Sequence, residues 1–114
     1  MITKAYKIPL KPNVIEKVRA WAKELNSRPQ ECMESLEEEG IYLETVFLDQ
    51  TSIGDYLIYI LKMQDEEKAH QVAQQSTRTI DAFHQQFKKE CWAGPGQPLE
   101  PLIDLDRMSE FFKT

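Results

Sequence analysis

The nine residues DYLIYILKM, positions 55–63, constrain this chain more than any other stretch. Neighbouring side chains of a strand point to opposite faces. Leu57 and Leu61 therefore share one face, and Ile58 and Ile60 the other. A strand apolar at both parities is a central strand, paired along both edges and covered on both faces. The remaining residues must supply its partner strands, a helical layer, and cover for the second face.

Partner strands are legible on both sides. Residues 3–10, TKAYKIPL, alternate and carry Tyr6 and Ile8, with Pro9 marking an edge or a strand end. IYLETVFLD, 41–49, is joined to the central strand by QTSIG, whose Gly54 suits a hairpin. LEPLIDLD, 99–106, reads as a final strand, and Pro101 puts it at an edge. Between them the period lengthens to 3.6 residues. Val14, Ile15, Val18, Trp21, Ala22 and Leu25 form one helical stripe, with Asn13 the expected N-cap. Pro29 breaks that helix; it resumes through Cys32, Met33 and Leu36 and stops at Gly40. DEEKAHQVAQQ, 65–75, is a short helix with acidic residues at its start. After STRT, Thr79 is the expected cap of a last helix, IDAFHQQFKKECW, 80–92, whose stripe is Ile80, Phe83, Phe87 and Cys91.

The order β-α-β-β-α-β, with the second helical section split, predicts an α+β ferredoxin-like domain: a four-stranded antiparallel sheet with helices on one face. One such domain spans residues 1–106, and 107–114 form a tail whose two phenylalanines need cover. The helix-free face of the sheet is too apolar for water. A second copy stacked sheet on sheet with twofold symmetry is the simplest cover, so a homodimer is expected.

Charge narrows the partners. With 14 Lys and Arg against 19 Asp and Glu, the net charge is −5, which disfavours nucleic acid and anionic membranes. No stretch approaches a membrane span and the opening residues lack a signal-peptide core, so cytoplasmic residence is expected. Cys32 and Cys91 form no CxxC and read as reduced thiols. Two histidines without a ligand cluster give no metal site. Gly94 and Gly96 flank a proline ahead of a strand, the wrong context for a phosphate loop, so no cofactor is expected.

Candidate chemistry centres on two residues. Alternation puts Tyr42, Glu44, Val46 and Leu48 on one face, and Ile41, Leu43, Thr45 and Phe47 on the other, which suits a dimer interface. Glu44 then faces the helices, where it is either a paired or solvated carboxylate or an acid/base with a raised pKa. Arg28 and Arg78, at the two helix breaks, are its nearest cations by topology. His84 shares the helical stripe of Ile80; it is either a hydrogen-bonded core histidine or a general acid/base opposite Glu44. Tyr42, Tyr59 and Phe83 join Arg28 and Arg78 as candidate substrate contacts, while Tyr6, Tyr59 and Trp21 either line an aromatic pocket or fill the core. His70 reads as a surface residue, and the acidic run 34–39 as a solvated face without a specific partner.

The residues also carry a resemblance. The element order looks like that of the dimeric α+β barrel superfamily, which holds small monooxygenases, antibiotic-biosynthesis enzymes, stress-responsive proteins and sugar mutarotases. IPLKP, FL followed by GDYLIY, and the ID-FH-F-EC stretch resemble a small bacterial family of unknown function, a resemblance that implies fold and no activity. A more distant similarity is to L-rhamnose mutarotases, in MITKAYKIPLKPN, the proline-broken first helix, TVFLD at 45–49 and ST at 76–77. The catalytic residues of that family do not carry over. Ser27 stands where it has a histidine, Glu44 where it has a strand tyrosine, and its tryptophan pair falls near Phe83 and His84. What the resemblance implies is a cleft between sheet and helices that binds a small organic molecule, with mutarotase-like isomerisation or oxygenation as its chemistry. A non-enzymatic dimer with a closed polar core is the alternative.

Overall fold

The structure, a computed structural model, describes residues 1–111; the side chains of the tail phenylalanines lie outside the described atoms. Strand β1 runs Ile2–Pro9, β2 Ile41–Thr51, β3 Gly54–Met63 and β4 Gln97–Pro98. The helices are α1 Ile15–Asn26, α2 Pro29–Glu39, α3 Glu66–Gln75, α4 Thr79–Cys91 and a short α5 Met108–Phe111. The sheet order is β2-β3-β1-β4, with every pairing antiparallel. This is the expected α+β ferredoxin-like arrangement, and DYLIYILKM is a central strand. The β2–β3 hairpin turns at Ser52 and Ile53, where the Thr51 hydroxyl receives the Ile53 N–H at 3.3 Å.

The face of β3 carrying Leu57, Tyr59 and Met63 is buried. Cross-strand partners place Ile8 and Leu48 beside Leu57, Tyr6 and Val46 beside Tyr59, and Glu44 beside Leu61. Helices α1 and α4 close over one part of this face. Trp21 and Phe87 stack with ring centres 4.1 Å apart and planes 5° apart, and Val14, Val18 and Cys91 complete the core. Cys91 and Cys32 are both free thiols.

Local chemistry explains the breaks. Pro29 takes the first position of α2, where its missing N–H costs nothing, and Arg28 N–H bonds back to Leu25 O at 3.0 Å to end α1. Gly40 ends α2 in the left-handed region, φ 71°, as the sequence predicts. Asp65 caps α3 by accepting from the N–H groups of Glu67 and Lys68.

Four expectations require correction. Asn13 does not cap α1: it takes φ 61° in the preceding turn, and Val14 holds the cap position. Thr79 is the first residue of α4, behind Arg78, and its hydroxyl instead receives Arg28 Nη2 at 3.3 Å. The final strand is two residues long rather than 99–106; beyond the Leu99 N–H bond to Ala5 O, the chain leaves the edge of β1. A β-bulge between Ile41 and Leu43 shifts the alternation, so Ile41 pairs with Met63 and joins the face of Glu44. The assignment of Glu44 itself stands.

Gly40 supplies a test of the α2–β2 corner. A Cβ there meets only the Gln64 side chain, Oε1 at 3.4 Å and Cβ at 4.0 Å, so the cost of Gly40→Ala is conformational. We expect a loss of about 1 kcal/mol, the ordinary penalty for an L-residue in the left-handed region, measured by urea unfolding.

Candidate functional site

Between the sheet and the helices lies a cavity of about 790 Å³, bordered by Trp21, Ser35, Glu39, Glu44, Tyr59, His84 and Lys88 among others. Its size is that of an ordinary small-molecule site. Glu44 and His84 both line it, yet no hydrogen bond joins them among the described residues.

Glu44 is the electrostatic centre. Its side chain is accessible from the cavity while protein surrounds it on most sides, and it has no hydrogen-bond or ion-pair partner among the described residues. Loss of water pushes its carboxyl up to about 7, the Glu39 charge adds to the rise, and Lys88 opposes it. Burial likewise raises Glu39. Ser35 Oγ lies 2.9 Å from Glu39 Oε1 and 2.6 Å from Asp81 Oδ1. One hydroxyl proton cannot serve two carboxylates. The Ser35 hydroxyl therefore donates to one of the two at a time and bridges Glu39 and Asp81. Ser76 Oγ donates to the other oxygen of Asp81, so Asp81 is held at both ends and ties α2, α3 and α4 together.

His84 hydrogen-bonds with Trp21 and not with Glu44. The indole N–H of Trp21, which can only donate, points at His84 Nδ1 across 3.2 Å. The imidazole is thus neutral with its proton on Nε2. Burial, first, and the Lys88 charge lower its pKa to about 3, against the weaker pull of Asp81. In neutral solution His84 is a fixed hydrogen-bond donor.

The cation of the site is Lys88, one turn beyond His84 on α4. Its amine lies 4.8 Å over the Trp92 ring. Burial depresses its pKa and Glu44 and Glu39 counter that fall; no ion pair within 4 Å holds it among the described residues. Tyr59 and Trp92 also border the cavity, and their Oη and Nε1 are buried without hydrogen-bond partners. The indole edge faces the phenol at 76° and its proximity favours the phenolate slightly, but without hydrogen-bond geometry. Desolvation outweighs it and holds Tyr59 far above the usual phenol range.

The other candidates lie elsewhere. Arg28 is spent on Glu31 and Glu24, and Arg78 on Glu34 and Glu38, so neither guanidinium borders the cavity. The acidic run 34–39 is correspondingly not a bare solvated face: two of its carboxylates hold Arg78, and Glu39 borders the cavity. Tyr42, displaced by the bulge, and Phe83, on the outer side of α4, do not border it either. Tyr59 does. Tyr6 reaches the rim, where its hydroxyl donates to Glu66 Oε1 at 2.5 Å. His70 is exposed, with its ring nitrogen 3.0 Å from Gln74 Nε2. Sequence reasoning missed Lys88 and Glu39, although signals existed: Lys88 follows His84 by four residues, and Glu39 directly precedes the turn into β2. No group of three or more His, Cys, Asp or Glu able to hold a metal occurs among the described residues.

Fold and cavity together define a ferredoxin-like α+β chain with a pocket beneath its helices whose lining is mostly apolar and carries a few polar groups. The chain belongs to a family of unknown function, DUF6176, whose model matches residues 1–110. Among solved structures it is similar to the L-rhamnose mutarotase of Formosa agariphila, at 13% identity and a TM-score of 0.63, over 93% of this chain and 100% of that one. It is also similar to an antibiotic biosynthesis monooxygenase, at 15% identity and a TM-score of 0.58, over 91% of this chain and all of that one. At these identities the likeness is one of fold. No curated protein matches in sequence.

His84 generates a prediction. Its folded pKa lies below its unfolded value of about 6.5, so the unfolded chain takes up a proton first as pH falls. Stability is therefore lost between about pH 6.5 and 3. His84→Gln keeps an acceptor for Trp21 and removes that titration. The variant should gain relative to the parent as pH drops through this window, read by denaturant unfolding at several pH values; parallel curves would contradict the buried neutral imidazole.

Proposed function

We propose that this chain binds a small, polar, uncharged organic molecule in the cavity and moves a proton on it through Glu44, without a cofactor. The observation that carries this is an unpartnered carboxyl with a pKa near 7, facing about 790 Å³ of open space. Such a group is half ionised at neutral pH and serves as base or acid with little bias. The same cavity is bordered by His84, whose Nε2 carries a proton, by Tyr59 and Trp92, and by Lys88, whose charge stabilises the ionised carboxyl.

A sugar-sized ring compound suits this cavity, and one structural neighbour is a sugar mutarotase. The proposed reaction is therefore isomerisation of a carbonyl or hemiacetal centre, with Glu44 taking a hydroxyl proton and returning one. Oxygenation is the second chemistry, favoured by the likeness to a monooxygenase. The alternative of a non-enzymatic dimer with a closed polar core is disfavoured by the size of the cavity. The same reading includes a bacterial, cytoplasmic homodimer that neither binds nucleic acid nor joins a membrane. No described helix is long and apolar enough to cross a bilayer. Support for the homodimer is the second face of the sheet, where Phe47 is 55% exposed beside its cross-strand partner Ile58.

The test is anomer exchange followed by saturation-transfer NMR over a panel of aldoses, with oxygen uptake measured alongside. We expect faster exchange for at least one sugar, with Glu44→Gln lowering the rate roughly a hundredfold or more, and Lys88→Met shifting the pH dependence toward alkaline values. Absence of both exchange and binding at millimolar sugar would refute the isomerase, and sugar-independent oxygen chemistry would favour the second reading.

A further inference from the structure

The segment after β4 is an anomaly. Leu102, Ile103 and Leu105 are 84%, 81% and 89% exposed, more apolar side chain in water than a short connection should show. Yet it is not a loose end. Asp104 Oδ1 and Asp106 Oδ2 receive the Lys62 amine at 3.1 and 2.9 Å, and Thr3 Oγ1 receives it at 2.8 Å. The Lys62 side chain is only 11% exposed, with the clasp itself as its cover. Lys62 pairs across the sheet with Thr3 and Leu43, so it projects from the helix-free face. The chain thus leaves the edge of β1 at Leu99 and crosses onto that face, with its carboxylates turned toward the sheet.

Residues 103–106, Ile-Asp-Leu-Asp, alternate as a strand does, and no described strand pairs with them. With Asp104 and Asp106 directed at Lys62, the alternation sends Ile103 and Leu105 away from their own sheet. The same face carries Phe47, which is exposed, and its half-buried cross-strand partner Ile58. Apolar arm and Phe47 therefore share one side of the sheet. Such a surface is self-complementary under a twofold axis: each copy offers the arm that the other copy's face lacks.

We propose that residues 102–106 are a dimer arm, clasped to their own sheet by Lys62, which packs Ile103 and Leu105 onto the helix-free sheet face of a second copy, around Phe47 and Ile58. This rests on the homodimer proposed above and adds to it which segment joins the copies. The same face also carries the Lys7–Asp49 ion pair; Lys62 differs in holding the arm, whose register it fixes so that the apolar side chains face the partner.

The full chain is examined by light scattering at micromolar concentration and by isotope-filtered NMR on mixed labelled and unlabelled protein. We expect twice the 13.3 kDa chain mass, with contacts between copies from the Ile103 and Leu105 methyls to the Phe47 ring. Ile103→Asp with Leu105→Asp alters only exposed positions and leaves the subunit folded. It should weaken the dimer roughly tenfold or more, as loss of two central apolar anchors does. A dimer lacking those contacts and unaffected by the double variant overturns the arm while leaving sheet stacking intact. A monomer overturns both.

Discussion

A central strand that is apolar on both faces can persist only if both faces are covered, and β3 meets that condition unevenly. Where Leu57 and Tyr59 point inward, the α1–α4 pair closes tightly, and the Trp21–Phe87 stack fills the layer. One residue pair further on, Leu61 lies beside Glu44 rather than beside another aliphatic side chain. There the proline break has already ended α1 and redirected the chain into α2. The helical layer stands off the sheet, and the gap is the cavity. Packing and site thus share one face of the same strand, whose apolar side chains also border the cavity that Glu44 enters.

The polar groups around that gap form a graded set. Asp81 is held by two serines and ties helices together. Glu39 is joined through the Ser35 hydroxyl to Asp81. His84 is fixed neutral by Trp21. Each of these has a structural partner. Glu44 alone among the carboxyls bordering the gap between sheet and helices near Ser35 and Lys88 combines isolation with access to the cavity, and that combination makes it the acid/base candidate. Lys88 stands within electrostatic reach without pairing, so it tempers the carboxyl without fixing it. A closer pair would hold Glu44 ionised and remove its ability to take up a proton near neutrality.

Much of the fold was legible because its signals are local and repeated. The two-sided strand, the helix break at Pro29, the left-handed stop at Gly40 and the hairpin at Gly54 each follow from residue chemistry within a few positions. What was not legible depends on distances along the chain. The bulge at Ile41–Leu43 changes facing by a single residue, and alternation alone gives no warning of it. The arginines at the helix breaks are near Glu44 in topology, yet closer carboxylates on α1 and α2 capture them. The pattern of 99–106 is that of a strand, but a pattern does not state which edge will receive it. Glu44 was found because a lone acid on an apolar strand face is conspicuous. Lys88 was overlooked because it stands in a basic pair on a helix end, where lysines usually serve the helix dipole.

The central claim is that Glu44 is a carboxyl without a partner, open to the cavity, whose pKa the surrounding protein raises. A pH titration of the Glu44 side-chain carboxyl carbon by NMR tests it directly, with Glu44→Gln assigning the signal. The account predicts a midpoint near 7. A midpoint at or below the ordinary value of about 4.3 for glutamate would show a solvated or ion-paired side chain, and would contradict it.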